Sequence, residues 1–201
     1  MFRRRADYFP HEFRRLGRGA DTNKQQLVSS YLWELPFGPK KPLLKSGPLS
    51  LILGGWQFNG IFAAYSGSPF SVLASPSRLN GVRLSRNQPD LVGTPKILGL
   101  TGPDQLFFDT SAFGPPPTGV YGNAGAQLLY GPGRVNWNAS LFRKIALGES
   151  KHLEFRAEVF NLTNTPHWNL PRRNIDNPRF GEILSAADDA RQVQFGVRVV
   201  Y

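Results

Sequence analysis

The side chains that could carry out chemistry are few and lie far apart in the sequence. The 201 residues include no cysteine and three histidines, His11, His152 and His167. Without cysteine there is no thiolate nucleophile, no disulfide and no cysteine-based zinc site. The histidines are not spaced to share a metal ion. The sequence therefore predicts a protein that is not an enzyme, with no catalytic residue, no metal site, no cofactor-binding residue and no cofactor.

Three weaker motifs do not change this expectation. The carboxylate pair Asp188-Asp189 could contribute to a calcium site, but no second cluster of ligands accompanies it. The segment 131–133 (Gly-Pro-Gly) lacks the lysine and the strand-to-helix context of a phosphate-binding loop. His167 stands beside Trp168 in a loop-like segment and could touch a substrate, although a surface loop position explains it as well.

The positive charge of the chain raises the question of a polyanionic partner. There are 24 basic and 14 acidic residues, with a formal net charge of +10. Six arginines fall within residues 1–20, and the rest of the excess is scattered, so we expect a basic surface and no nucleic-acid partner. Residues 1–23 are interpreted as a basic N-terminal segment, the remnant of an extracellular loop. Charged residues interrupt the apolar region that an export signal would need there.

The number of glycine and proline residues limits which secondary-structure elements the chain can form. With 21 Gly and 17 Pro, a helical bundle is disfavoured. Residues 46–77 contain no charge, but the Gly and Pro residues inside this segment, with Gln57 and Asn59 near its centre, exclude a membrane-spanning helix.

Alternation of apolar and polar residues predicts strands instead. It is clearest in the last strand, where every second residue is apolar: Val193, Phe195, Val197, Val199 and Tyr201. Similar patterns occur throughout the chain and predict five strands, near residues 24–35, 53–65, 134–147, 152–164 and 191–201.

Strand length and loop asymmetry favour a membrane barrel. The predicted strands are about 10 to 14 residues long, whereas a tilted strand needs roughly 9 to 11 to cross a bilayer and the mean globular strand has about 5 to 6. Short connections at 36–50 and 148–151 mark one end of the sheet. Long connections at 66–133 and 165–190 mark the other, which is typical of outer-membrane barrels. The predicted fold class is all-β, with about five antiparallel up-and-down strands forming part of a transmembrane β-barrel with long extracellular loops.

This fold assigns the apolar face to lipid. The residues predicted to face lipid are Trp137, Leu141, Phe155 and Val159. The aromatic residues predicted to lie at the two membrane interfaces are Trp33, Trp56, Trp137 and Tyr201. Arg143 shares the apolar face, but it falls near the short-turn end, where its side chain can reach the interface.

A soluble protein is the alternative interpretation. Alternating strands also describe an antiparallel sandwich, and a soluble basic β domain that binds nucleic acid or carbohydrate would have the same pattern. It is disfavoured because little sequence remains to build a second sheet that could bury Trp137, Phe155 and Phe195.

Several short motifs resemble one family of membrane proteins, and they occur in a characteristic order. They are Tyr31–Gly38 (YLWELPFG), Gly54–Gly60 (GGWQFNG), Ser66–Phe70 (SGSPF), Tyr121–Gly125 (YGNAG), Gly131–Gly133 and Glu154–Asn164 (EFRAEVFNLTN). In this order they resemble the C-terminal barrel segment of TonB-dependent outer-membrane receptors, most closely the Oar-like branch. Residues 24–201 would then be the C-terminal part of such a barrel.

The resemblance implies function and partners. It implies a fragment of a receptor for active uptake of an unknown substrate, located in the cell outer membrane of the Gram-negative type. Five strands are too few to close, because single-chain barrels begin at about eight. The implied partners are outer-membrane lipid, the remainder of the barrel, the barrel assembly machinery and, only through N-terminal parts missing from this chain, the TonB complex. The row from Val193 to Val199, ending at Tyr201, resembles the signal read by the assembly machinery.

Overall fold

A computed structural model describes residues 23–39, 41–75, 87–102, 104–148, 150–187 and 190–201. Most of the basic N-terminal segment, His11 and the pair Asp188-Asp189 lie outside these residues. The chain forms two compact units. We call residues 26–64, 135–166 and 189–201 the sheet unit, and residues 1–25, 65–134 and 167–188 the loop unit.

Strands predominate over helices. The strands in chain order are β1 (Gln26–Glu34), β2 (Trp56–Tyr65), β3 (Pro69–Phe70), β4 (Asp90–Leu91), β5 (Phe113–Gly114), β6 (Leu129–Tyr130), β7 (Arg134–Ala146), β8 (His152–Phe160) and β9 (Gln192–Val200). Helix α1 (Pro48–Leu53) lies between β1 and β2, and a 3-10 turn (Thr110–Ala112) precedes β5. In the part of the chain that the structure describes, no helix has the length and hydropathy needed to cross a membrane.

The five long strands form one sheet in the order β1-β2-β7-β8-β9. They match the five predicted strands to within a few residues, which confirms the all-β fold class. Among the described residues the sheet is not closed, and β1 and β9 are its outer strands.

The register of the sheet keeps apolar residues together. β7, β8 and β9 are antiparallel neighbours, with Leu141 opposite Ala157 and Ala157 opposite Phe195. Facing residues of neighbouring strands point to the same side of a sheet. The apolar residues of the three strands therefore share one face, as the alternation predicts, and the opposite face is polar.

The fourth strand ends earlier than predicted. β8 stops at Phe160, because Asn161 and Asn164 adopt left-handed backbone conformations with φ of 52° and 51°. Asparagine tolerates this region better than other non-glycine residues. The Asn161 side chain also closes a local loop, since its Oδ1 accepts from the Thr165 amide at 3.0 Å.

The segment between β1 and β2 also differs from the prediction, which gave a connection without a helix at 36–50 and began the next strand at residue 53. Pro48 at the first turn favours a helix, since its missing N–H needs no partner there. Helix α1 ends before Gly54 and Gly55, and the strand begins at Trp56. At Gly55 φ is +76°, a conformation that glycine adopts without strain.

The long connections contain a core of their own. The loop unit has two short antiparallel ladders, β3 with β6 and β4 with β5. Its centre is Phe108, which is fully buried and lies 5.7 Å from the ring of Phe70, 5.9 Å from that of Phe113 and 5.3 Å from that of Phe180. Edge-on and tilted ring pairs at these distances are favourable. Long loops are predicted correctly, but the sequence pattern does not reveal that they pack.

Candidate membrane interface

The apolar face of β9 is strongly exposed. Phe195 is 72% exposed and Val197 is 66% exposed, and Val193 and Val199 are exposed beside them. Soluble proteins rarely leave a contiguous apolar row of this kind uncovered. The structure thus brings the predicted assembly residues together as one exposed row.

The predicted lipid-facing residues continue this row across the sheet. The Phe155 ring on β8 lies 6.5 Å from that of Phe195 and 5.6 Å, edge-on, from that of Trp56 on β2. Phe155, Trp137, Leu141 and Val159 are half-buried, and none of the four is fully enclosed. A sealed soluble core, the condition under which the membrane interpretation fails, is not found here.

One hydrogen bond crosses this face over a glycine. Trp137 Nε1 on β7 donates to Tyr31 Oη on β1 at 2.8 Å, although β2 lies between these strands. A Cβ at Gly60 would lie 2.5 Å from Tyr31 Oη, so only glycine leaves room for the bond. The indole N–H is therefore satisfied within the sheet, as a face predicted to meet lipid requires. Sequence reasoning missed this arrangement, and the small residue within the β2 alternation is the only signal for it.

The predicted interface aromatics lie near strand ends. Trp33 is near the end of β1, Trp56 begins β2, and Tyr201 follows β9, whose Val200 pairs with His152 at the start of β8. These ends share the rim of the sheet that carries the short β7–β8 turn, and Tyr201 is 94% exposed. Trp137 lies three residues into β7, near the opposite rim. The arrangement agrees with the predicted positions, while contact with lipid headgroups stays a prediction.

The two exceptions to the β7 alternation each have a partner. Phe142, an apolar residue on the polar face, lies 5.8 Å from the cationic groups of both Lys144 and Arg156. Such cation–π contacts compensate a ring placed among charges. Arg143, a cation on the apolar face, donates to the carbonyls of Leu51 and Ile52 in α1.

The polar face carries a ladder of charges. Glu154 Oε1 lies 3.2 Å from Lys144 Nζ and 3.2 Å from His152 Nε2, and Gln194 donates a hydrogen bond to Glu158. His152 thus lies within hydrogen-bonding distance of a carboxylate that is also ion-paired with Lys144. A groove of about 660 Å³ is lined mainly by side chains of this face, Ser30, Leu32, Asn59, Ser140, Glu158 and Phe160 among them. A groove on the polar side of the sheet is consistent with the wall of a barrel around a polar interior.

The other candidate residues have structural surroundings in the loop unit. His167 is buried, and its carbonyl accepts from the Ala187 amide at 2.6 Å. Gly131 donates its N–H to the Ser68 carbonyl at 2.9 Å, so the 131–133 segment packs against the backbone of a neighbouring segment. Across the described ranges, no group of three or more His, Asp or Glu residues could hold a metal ion.

One carboxylate outside the sheet, that of Asp109, accepts two hydrogen bonds that favour its charged form. Asp109 Oδ1 accepts from the Ser111 hydroxyl at 2.6 Å and from the Ser111 amide at 3.0 Å, which caps the 3-10 turn. These two hydrogen bonds, the hydroxyl first, hold the pKa of Asp109 below its usual value.

Comparison with known proteins agrees with this geometry. A family model described as an outer membrane beta barrel domain matches residues 4–194. The chain therefore belongs to the outer membrane beta barrel domain family. No curated protein and no solved structure matches the chain significantly.

The family locates the protein in the outer membrane and supports a role of the transport type there. This assignment favours the membrane interpretation over the soluble basic β domain, because an exposed apolar row is unfavourable in water and favourable in the apolar part of a membrane.

Proposed function

We propose that the chain is the C-terminal barrel segment of a TonB-dependent outer-membrane receptor of the Oar-like branch, which takes up a substrate actively. The observation that carries the proposal is the open five-stranded sheet with one exposed apolar face and one polar face that carries a groove. An open sheet in lipid leaves two edges of backbone groups to be paired, so the remainder of a barrel is a required partner.

The last strand is proposed as the assembly signal. β9 pairs with β8 along its whole length and is the terminal strand in the sheet order. The exposed row from Val193 to Val199 leads to Tyr201, whose side chain is almost entirely exposed. A strand of this kind is suited to pair backbone to backbone with a sheet edge of the barrel assembly machinery, while its side chains fix the register. Anchoring of Tyr201 at the interface is compatible with this role.

The remaining partners follow from the same proposal. Outer-membrane lipid covers the apolar face, and the TonB complex acts through receptor parts outside this segment. The proposal includes no enzymatic step and no nucleic-acid partner. The loop unit is built from connections that leave the sheet at the rim opposite the short turns, which is the extracellular rim in barrels of this type.

The assembly step is tested in a complete receptor that carries this C-terminus. We expect deletion of Tyr201 to lower the amount of folded receptor in the outer membrane several-fold, because the terminal aromatic of the signal is lost. Val200→Ala is the matched control, since Val200 has the opposite parity and lies outside the row. Equal outer-membrane yields for the wild type and the deletion would contradict the proposed signal.

The transport step is tested in two settings. We expect the purified 201-residue chain in liposomes to give no saturable glucose or raffinose flux, because five strands do not close a pore. We expect a tagged complete receptor to form a formaldehyde crosslink with TonB in cells. Saturable flux through the segment alone would overturn its status as part of a larger barrel, and absence of the crosslink would overturn TonB dependence.

A further inference from the structure

Helix α1 exposes its apolar side chains and buries its polar one, which is the reverse of a helix that packs on the surface of a soluble protein. Its small polar residue Ser50 is buried, at 2% exposed, while Leu51 is 70% exposed and Ile52 is 60% exposed. Leu49 and Leu53 are exposed as well. A surface helix in water normally buries its apolar stripe and exposes its polar one. The inverted pattern indicates that α1 meets an apolar medium.

The helix is fastened in this orientation by two side chains of the sheet. Arg143 Nη1 donates to the Ile52 carbonyl at 2.7 Å, Arg143 Nη2 donates to the Leu51 carbonyl, and Trp56 Nε1 donates to the Ile52 carbonyl at 3.0 Å. The last carbonyls of a helix have no partners within it and carry partial negative charge. A guanidinium at that end therefore both satisfies these acceptors and neutralises their charge.

The same contacts make α1 continuous with the apolar face of the sheet. Arg143 and Trp56 both belong to that face, and the Arg143 guanidinium lies 5.5 Å from the Trp56 ring centre. Trp56 in turn touches Phe155, which touches Phe195. The exposed leucines of α1 and the exposed row of β9 are thus parts of one apolar surface in the sheet unit.

Position and charge identify the medium as the edge of a lipid bilayer. A helix of six residues is about 9 Å long and cannot span a bilayer. A short helix with exposed apolar residues lies instead in the plane of the membrane interface. It lies at the short-turn rim, where exposed Lys45 precedes it and exposed Lys151 lies in the β7–β8 turn. Lysines at this level are placed to contact lipid phosphates.

We propose that α1 is an interfacial anchor that inserts Leu49, Leu51, Ile52 and Leu53 into the periplasmic leaflet of the outer membrane, with Arg143 as its positioning residue. The inference rests on the proposed function, in which the apolar face of the sheet meets lipid and the short turns face the periplasm. It adds a second lipid-binding element to the strands.

Because the chain contains no cysteine, single-cysteine nitroxide labels test the proposal directly. Leu51→Cys, Phe195→Cys and Lys45→Cys are labelled in a complete receptor that carries this segment, with any cysteine outside the segment replaced by serine, and the receptor is reconstituted in vesicles of phosphatidylethanolamine and phosphatidylglycerol. Collision with oxygen, which concentrates in lipid, is compared with collision with a water-soluble nickel chelate. We expect the labels at 51 and 195 to collide with nickel several-fold less than the label at 45.

The outcomes separate the anchor from the proposed function. A label at 51 as accessible to nickel as the label at 45, with the label at 195 shielded, would overturn the anchor and leave the lipid-facing sheet intact. Nickel access at both 51 and 195 would overturn the lipid-facing sheet as well. Dipolar broadening between labels at 51 would show that a second copy covers α1, which also overturns the proposal.

The positioning role of Arg143 has its own readout. In the Leu51→Cys background, Arg143→Gln removes the guanidinium from the α1 carbonyls, and we expect nickel collision at 51 to rise towards the value at 45. Arg143→Lys keeps a cation but loses the two-pronged donor, so an intermediate value is expected. The label at 195 in the Arg143→Gln background reports whether the sheet remains inserted. An unchanged label at 51 in Arg143→Gln would refute the positioning role.

Discussion

The sheet unit and the loop unit place the same residue types in opposite surroundings. In the loop unit Phe108 is completely buried among other aromatic rings, whereas in the sheet unit Phe195 is 72% exposed. The loop unit thus completes an apolar core by itself. The sheet unit has apolar residues aligned on one face and leaves that face uncovered. The difference teaches that the loop unit buries its apolar residues without further partners, whereas the sheet unit needs an apolar medium on one face, which we propose is lipid.

The backbone N–H and C=O groups of the two units are also hydrogen-bonded in different ways. In the sheet unit the long strands pair with one another, as β8 does with β9 over nine residue pairs. In the loop unit side chains substitute for long ladders: Asn123 Oδ1 accepts from the Leu91 amide at 2.8 Å, and Asp90 Oδ1 accepts from the Asn123 amide at 3.0 Å. Ladders leave side chains available for a bilayer, whereas Asn and Asp contacts hold irregular backbone in water.

The largest effect on stability is expected from a substitution that leaves a cavity in the core of the loop unit. Phe108→Ala removes a ring that contacts three others, and truncation of a buried phenylalanine destabilises by about 3–5 kcal/mol. We expect faster amide exchange and faster proteolysis across residues 87–130 in lipid vesicles. Exchange within β7 to β9 should not change, because none of their residues belongs to the core around Phe108.

Phe195→Ala is the matched control for this cavity. It removes the same ring from an exposed position, so we expect little change in proteolysis of the loop unit. If both variants loosened the loop unit equally, the contrast between a finished core and an exposed face would be wrong.

A charge on the apolar face should have the next largest effect. Val197→Arg places a cation near the middle of β9, where arginine facing lipid costs about 2–4 kcal/mol. We expect several-fold less of the 201-residue chain to float with lipid vesicles in a density gradient.

The control uses the same substitution on the other face of the same strand. Gln194 lies on the polar face and donates to Glu158, and Gln194→Arg can keep a contact with that carboxylate. Its vesicle binding should equal that of the wild type. Equal losses for the two variants would show that the two faces of β9 are not distinct.

The parts of this architecture that are local in sequence could be predicted, and the parts that depend on distant contacts could not. Alternation within β9 reveals both the strand and its apolar face, because the side-chain period of a strand needs no tertiary information. Phe70, Phe108 and Phe180 meet from segments without periodicity, so no pattern reveals their packing. The helix α1 has six residues, too few to show a helical period, and the Gly and Pro around it indicate a turn.

The candidate interface likewise has parts that local sequence predicts and parts that depend on distant contacts. The parity of each strand places Trp137 and Phe155 on the apolar face, and strand ends place Trp33 and Trp56 near the rim. The hydrogen bond from Trp137 to Tyr31 depends on strand order, since it needs β2 between two strands that are distant in sequence. Only the register of the folded sheet shows why the residue between them is Gly60.

The smallest effect is expected from a carboxylate in the loop unit. The pKa of Asp109 is lowered by its hydrogen bonds from Ser111, so the charged form stabilises the folded turn. A carboxyl whose folded pKa lies below its unfolded value stabilises above the unfolded value, and this contribution is lost as pH falls through the folded pKa. We expect protection of the Ser111 amide from exchange, corrected for its intrinsic rate, to fall as the pH drops below the ordinary aspartate pKa of about 4.

Asp109→Asn removes this titration but keeps an acceptor for the cap, so its protection should change much less over the same range. Asp104→Asn is the control in the same loop, and its Ser111 amide should follow the wild type. The Asp109 side chain is half-exposed, so solvent screening keeps the effect on the turn small. The effect should not extend to the strands of the sheet unit. An identical pH trend in Asp109→Asn and the wild type would show that the Asp109 cap is not what stabilises this turn.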